Sequence, residues 1–366
     1  MPNLFRILFI LVIVPLVSLF YLAGRSPNDV SLLRKAEYVT PLGGGKVRCE
    51  LCPHRCTLSD GQRGICKVRQ NIKGTLYSLV YNRPVALNND PVEKKPLFHF
   101  RPGTKSFSLA TAGCNMNCNF CQNWEISQAT PESVTPYDLA PAQIVALAKK
   151  YGSDSISFTY TEPAVFFEYM RDIAVLAKKE GLHTVFVSCG YINEKPLREL
   201  AKYLDAANID LKGFSDTFYR TYTTATLQPV LDTLKILKEE KVLVEVTNLV
   251  IPGANDTPDE IRRLVRWVRD NLGPDTPLHF SRFFPRYKLT SRPPTPPATL
   301  EEAVRIAKQE GMRYVYIGNL STEDGEDTFC PKCGKKLIDR SGFSIEKNLL
   351  KNGQCPFCGT SVPGRW

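Results

Sequence analysis

Histidine is scarce in this 366-residue chain, where His54, His99, His183 and His279 are the full complement. None stands in an HExxH helix, no Ser-His-Asp arrangement is visible, and no glycine-rich phosphate loop appears, so hydrolytic chemistry has no support. His183, just before an apolar strand, reads as structural, whereas His99 and His279 lie near other motifs. A dense basic block is also missing. The net charge of +10, from 47 Lys plus Arg against 37 Asp plus Glu, is compatible with nucleic acid or an anionic membrane surface. Because those charges are scattered through helical patterns, they read first as a solvated basic surface. At this length, a 43% hydrophobic content is ordinary for a chain with one main domain and smaller attachments.

What the chain does have is cysteine. Its twelve thiols fall into tight groups, which in a chain of this size point to metal rather than to a disulfide framework. Cys114, Cys118 and Cys121 stand in Gly113-Cys-Asn-Met-Asn-Cys-Asn-Phe-Cys-Gln-Asn, one ligand short of a closed site. Either a distant fourth ligand completes this shell or one iron is left open. Packing alone does not explain the loop, since Asn115, Asn117 and Asn119 favour turns over periodic burial. Cys189 belongs to no group.

Ile7 to Ala23 is uncharged and almost wholly apolar, at the short end of a membrane span. Tyr21-Leu-Ala-Gly24 is a poor cleavage site for a signal peptide. Arg25, Arg34 and Lys35 outnumber the positive groups before the span and put the body on the cytoplasmic face of the membrane. Residues 1–26 are therefore expected to be an anchor and 27–103 a Cys-rich segment whose order depends on metal. From 104 to 322, strand-like runs (Phe107–Ala110, Ser155–Tyr160, Thr184–Val187, Asn208–Leu211, Leu243–Ile251, Leu278–Phe280, Tyr314–Ile317) alternate with helical ones (Ala164–Lys179, Glu194–Tyr203, Asp259–Asn271). Such βα repeats predict an α/β class protein, a full or partial (β/α) barrel with its functional groups at the strands' C-terminal ends. The three-cysteine loop follows the first of those strands. Ser291-Arg-Pro-Pro-Thr-Pro-Pro297 must be a loop, and Glu323-Asp-Gly-Glu-Asp327 reads as a linker into a final module over 323–366.

That module carries Cys330-Pro-Lys-Cys333-Gly334 and Cys355-Pro-Phe-Cys358-Gly359, two CxxC knuckles with the spacing of a zinc ribbon. Rubredoxin-like iron and paired disulfides are the minor readings. Cys49, Cys52, Cys56 and Cys66 offer four further ligands, with His54 as an alternative donor. Zinc and an auxiliary iron-sulfur cluster both accept four thiolates, so spacing leaves that choice open.

The run Cys114-x3-Cys118-x-Phe120-Cys121 after a first strand resembles the signature of radical S-adenosylmethionine (SAM) enzymes. Asp90-Pro-Val-Glu-Lys-Lys-Pro-Leu-Phe-His-Phe100, Thr159-Tyr-Thr-Glu-Pro163, Asp210-Leu-Lys212, Ile251-Pro-Gly-Ala-Asn-Asp256 and Tyr314-Val-Tyr-Ile-Gly-Asn319 are similar to the AmmeMemoRadiSam-system branch. These are relatives of pyruvate formate-lyase activating enzyme. The resemblance implies a radical SAM barrel in which the three cysteines hold a 4Fe-4S cluster whose fourth iron chelates SAM. It places Phe120 near the adenine, and makes Glu162 the candidate for the SAM amino group, although the usual pair of glycines is absent and Glu162 also suits a helix start. Ser188 falls in the ribose and methionine contact region, where Val187 replaces a residue that is often polar. Asp210 and Lys212 match the Asp-Leu-Lys motif and would face one side, as a SAM-contacting pair or a buried ion pair. Phe284 stands where relatives can carry histidine. The resemblance also implies an external one-electron reductant of flavodoxin or ferredoxin type for the cluster, and reductive cleavage of SAM to a 5′-deoxyadenosyl radical that takes hydrogen from an unidentified substrate, with a protein or RNA as candidates. Activation of a glycyl-radical enzyme, modification of RNA or another macromolecule, and a non-enzymatic membrane-tethered metal scaffold are the alternatives.

Overall fold

The core strands are short runs of apolar, β-branched and aromatic residues buried on both faces, the pattern of a parallel sheet covered by helices. In the computed structural model, which describes Val30 and residues 33–366, they assemble into one eight-stranded sheet. Its strands are β1 (Pro84–Pro91), β2 (Lys105–Thr111), β3 (Ser155–Phe158), β4 (His183–Ser188), β5 (Ala206–Asp210), β6 (Leu243–Val250), β7 (Leu278–Arg282) and β8 (Val315–Gly318). Neighbours in sequence are neighbours in the sheet. β2 to β8 run parallel and β1 runs antiparallel to β2. β1 and β8 do not pair, so the barrel is partial.

Helices α1 (Pro141–Lys150), α2 (Phe167–Lys179), α3 (Glu194–Ala201), α4 (Asp216–Thr223), α5 (Gln228–Glu239), α6 (Pro258–Leu272) and α7 (Pro297–Gln309) fill the connections. The expected start of α6 is met: the Thr257 hydroxyl accepts from Glu260 N, and Pro258 occupies the first turn. Its buried face is Ile261, Leu264, Val265, Val268 and Leu272, spaced for one stripe of a helix.

Residues Arg34–Trp366 form one compact unit. The Cys-rich segment expected to end at 103 instead sends β1 into the main sheet, because Pro84–Pro91 pairs along the whole of β2. Upstream, Val39–Pro41, Val47–Cys49 and Thr57–Leu58 make a small antiparallel sheet. The C-terminal module is a three-stranded antiparallel sheet of β9 (Thr328–Phe329), β10 (Lys336–Ser341) and β11 (Ser344–Asn348). Its Leu337, Ile338 and Val362 pack with Phe98, Tyr314 and Tyr316.

The expected membrane anchor and its cytoplasmic-face placement are corrected here. Ile7 to Ala23 lies outside the described residues, and among the described residues no helix is long and apolar enough to cross a membrane. The longest, α6, has 15 residues. At about 1.5 Å per residue it falls short of a hydrocarbon core of about 30 Å.

Candidate active site

β2 delivers the three-cysteine loop to the barrel mouth through Gly113, whose φ of 91° only glycine adopts without strain. Past that hinge the loop is tied to α4, with Asn117 N donating to Thr223 O and Asn119 N to Tyr222 O, each at 2.9 Å. The interleaved asparagines thus sit in a wrapped, irregular turn. The Met116 amide donates to Cys114 Sγ at 3.3 Å, and Cys121 Sγ lies 3.2 Å from Ser127 Oγ.

All three cysteines line a cavity of about 480 Å³ at the C-terminal ends of the parallel strands, together with Phe120, Ser188, Asp210 and Lys212. That volume suits a small-molecule ligand. Lys212 Nζ is 2.8 Å from Asp210 Oδ2 and 5.9 Å from the Phe120 ring centre. The two charged residues therefore share a side, as the motif suggested, although Lys212 lies two residues past the end of β5. Burial alone would lower the Lys212 pKa, but Asp210 and the thiols of Cys189 and Cys118 hold it well above the usual lysine value. Burial pushes Cys118 up to about 12 and raises Cys114 well above the ordinary thiol. Protons on such thiols leave when a metal replaces them.

Glu162 does not line this cavity. Fully buried, it accepts from Ala164 N at 3.0 Å, Ser188 Oγ at 2.7 Å and Cys189 N at 2.8 Å. It caps the short helical turn at Pro163–Phe166 and fixes the β4 end from behind. Burial raises its pKa, against those three hydrogen bonds. Ser188 and Cys189 reach the cavity in its place. Phe284 is 40% exposed, clear of the cavity lining, with Arg282 stacked on its ring.

Other residues in the cavity wall and behind it carry weaker sequence signals. His279 lines the cavity and its Nε2 bonds Glu245 at 2.7 Å, while Glu245 also takes the amides of Phe98 and His99. A glutamate inside the apolar strand Leu243-Val-Glu-Val was the available clue. His99, also left open by sequence, bonds Pro363 O at 2.6 Å and Tyr316 Oη at 2.7 Å. Asp90, from the Asp-Pro-Val-Glu-Lys-Lys motif, accepts from Lys95, Tyr160 and Lys94. Asn123 donates to Tyr160 O at 2.8 Å.

The remaining cysteines form two sets away from the cavity. Cys330 and Cys358 Sγ are 3.5 Å apart, and Cys333 and Cys355 Sγ 3.7 Å apart. Cys49, Cys52, Cys56 and Cys66 surround a small cavity of about 20 Å³ with His54.

A polar cavity at the C-terminal ends of parallel strands lies where α/β-barrel enzymes carry their active sites. The radical SAM superfamily model matches residues 108–268. An uncharacterised protein of Methanocaldococcus jannaschii is 47% identical over 332 residues, covering 90% of this chain and 99% of its own. Pyruvate formate-lyase 1-activating enzyme of Escherichia coli (strain K12) is 25% identical over 232 residues, 59% of this chain and 93% of that enzyme. A solved domain of pyruvate-formate lyase-activating enzyme from Bacteroides vulgatus ATCC 8482 is 17% identical, with a TM-score of 0.40, covering 46% of this chain and 100% of that one. The chain belongs to the radical SAM superfamily and has homology to pyruvate formate-lyase activating enzymes.

Proposed function

We propose that the protein cleaves SAM reductively to a 5′-deoxyadenosyl radical, which takes a hydrogen atom from a substrate. The observation that carries this reading is the convergence of Cys114, Cys118 and Cys121 on one cavity with Asp210 and Lys212. Superfamily membership implies a 4Fe-4S cluster and SAM. When bound, the cluster supplies the electron that breaks the sulfonium, chemistry no side chain offers. Soft thiolate donors fit iron, and three of them leave one iron open for the cosubstrate.

The chain's own residues bind and orient. Phe120 offers an apolar face for the adenine, and the Asp210–Lys212 pair offers both charges to the SAM zwitterion. Ser188 offers a hydroxyl held in place by Glu162, which is a positioning residue. Phe98, Phe120 and Leu249 in the cavity wall keep water from the reacting centre. The electron comes from an external one-electron reductant of flavodoxin or ferredoxin type.

The Asp90 to Phe100 and Tyr314 to Asn319 motifs support placement in the AmmeMemoRadiSam-system branch. Cys330, Cys333, Cys355 and Cys358 are proposed to hold zinc in a ribbon. Their ligand atoms lie within 4.8 Å of one another, close to the spacing of about 3.8 Å that Zn–S bonds of about 2.3 Å impose on a tetrahedron.

Anaerobic reconstitution with iron and sulfide, followed by SAM and a reductant, should yield 5′-deoxyadenosine. Equal product from Cys118→Ser would sink the mechanism. The similarity to the E. coli activating enzyme favours a glycyl-radical partner as substrate, read as a SAM-dependent protein radical in electron paramagnetic resonance (EPR) on a candidate partner. Its absence from every glycyl-radical candidate counts against that choice alone.

A further inference from the structure

We infer that Cys49, Cys52, Cys56 and Cys66 hold a second, polynuclear iron-sulfur cluster, through which the external reductant's electron reaches the SAM site. The cluster assignment stands by itself; the electron's destination rests on the radical SAM reading above.

The four thiols come from separate stretches of backbone. Cys49 ends the strand Val47–Cys49, Cys52 and Cys56 lie in the turn that follows, and Cys66 arrives from the loop before the strand Arg69–Ile72. All four face one cavity. A methyl group placed on Gly64 would lie 3.6 Å from Cys66 Sγ and 3.7 Å from Cys56 Sγ, so those two thiols point into the same space.

Spacing distinguishes a cluster from a single ion. One tetrahedral zinc draws its sulfurs to about 3.8 Å, and two pairs of the C-terminal four stand at 3.5 and 3.7 Å with all four within 4.8 Å. Among the described residues, Cys330, Cys333, Cys355 and Cys358 are the one group of thiols gathered closely enough to share a single ion. Cys49, Cys52, Cys56 and Cys66 line their cavity without forming such a group, and so do Cys114, Cys118 and Cys121 in theirs. Ligands bound to separate irons of a cubane stand farther apart than ligands that share one ion.

The cavity is also charged and incompletely satisfied. Arg69 lines it at 1% exposure. Its Nη atoms pair with Glu168 at 3.0 and 3.1 Å, but its buried Nε has no partner. An N–H donor with a positive charge beside four thiolates is what an anionic cluster needs from its surroundings.

The two centres share a wall. Asn115 lines the N-terminal cavity and follows Cys114 in the chain. His54 Nε2 lies 2.7 Å from Asn115 O, and Cys66 O comes within 2.6 Å of the point a Gly113 Cβ would occupy. On the outer side, Ile65 is 51% exposed at the cavity rim, where a donor protein can approach. The electron count balances: a reduced flavodoxin or ferredoxin loses one electron, the second cluster takes it and passes it on, and the sulfonium accepts it as its C–S bond breaks.

Wild-type protein reconstituted anaerobically with iron and sulfide should hold about eight irons and eight sulfides, with about one zinc. The Cys114→Ala, Cys118→Ala, Cys121→Ala triple variant should keep about four irons and an EPR signal that SAM leaves unchanged. The Cys52→Ser, Cys66→Ser double variant should keep the SAM-responsive signal and lose the other. Wild type with about four irons and two zincs, or a triple variant holding zinc without iron, overturns the second cluster. The wild-type and triple-variant counts stand even if the double variant fails to fold. With reduced flavodoxin, the double variant should lose most of its 5′-deoxyadenosine rate, and dithionite should restore it; equal rates with flavodoxin overturn the relay. If wild type makes no 5′-deoxyadenosine at all, the SAM reading fails while the iron count still decides the second cluster.

Discussion

Gly113→Ala tests whether the two cysteine centres are packed as tightly as their shared wall implies. Gly113 has φ 91°, and an added Cβ would meet Val68 Cγ1 at 2.5 Å and Cys66 O at 2.6 Å. Neither neighbour yields easily, since one is backbone and Val68 is fully buried. Left-handed backbone costs an L-residue about 1–2 kcal/mol, and overpacking a closed core about 1–3 kcal/mol. Together these give about 2–5 kcal/mol. Gly181→Ala is the control, because its φ is 74° and nothing lies within 4 Å of its Cβ position. It incurs the backbone term alone, about 1–2 kcal/mol. For a unit of this size the unfolding entropy is about 0.7 kcal/mol/K, so each kcal/mol lowers the thermal midpoint by about 1.4 °C. The expected drops are about 3–7 °C for Gly113→Ala and about 1–3 °C for Gly181→Ala. Iron analysis supplies the second readout: moving Cys66 or Cys114 should strip iron from the first variant and leave the second fully loaded. Equal midpoints and equal iron would refute the close approach.

Burial holds the His99 imidazole down from 6.5 to about 4. Between those values it is neutral folded and protonated unfolded, so stability should fall by up to about 1.4 kcal/mol per unit as the pH drops through that window; melts from pH 7 to 5 should be flatter for His99→Gln. Lys212→Met removes a charged contact from the cavity and should weaken SAM binding about tenfold to a hundredfold, measured by equilibrium dialysis; unchanged affinity refutes the contact. Cys333→Ser should lose about one zinc and keep its iron, and elemental analysis showing the reverse would reassign the C-terminal set.

The sheet was legible because each parallel strand is a short run dominated by apolar and β-branched residues between helical patterns and turns. All seven expected strands appear, within a residue or two of their expected ends. Helix α4 escaped notice because Asp216-Thr-Phe-Tyr-Arg-Thr-Tyr-Thr223 is rich in poor helix formers; the Ser215 cap and burial of Phe218 and Tyr219 stabilise it. Helix α5 carried a readable stripe in Val230, Leu231, Leu234 and Leu237. In the candidate site, the cysteine spacing and the Asp210–Lys212 alternation were plain from local sequence. The orientation of Glu162 was not, since a carboxylate before Pro163 can face the cavity or cap the turn, and Ser188, 26 residues on, decides between them. The wall between Asn115 and the first cysteine set depends equally on long-range packing.

The C-terminal module's position bears on a question its knuckles leave open, whether it is a free binding module or part of the fold. An open barrel leaves the edges of β1 and β8 unpaired, and a gap there would admit water to the site. The segment Glu93 to His99 lies on one side of that seam. Arg340 of β10 crosses to it, donating to Phe98 O at 2.8 Å with its guanidinium 4.4 Å over the Phe98 ring. Arg365 N donates to His99 O at 2.8 Å. Glu326 and Phe343 of the module then line the same 480 Å³ cavity as the three cysteines. A module with its apolar face committed to Phe98, Tyr314 and Tyr316, and its hairpin turn in the cavity wall, closes the barrel's seam. If its cysteines hold the proposed zinc, they act on the site by keeping a wall in place, and stripping that zinc should loosen the cavity before it touches the three-cysteine loop.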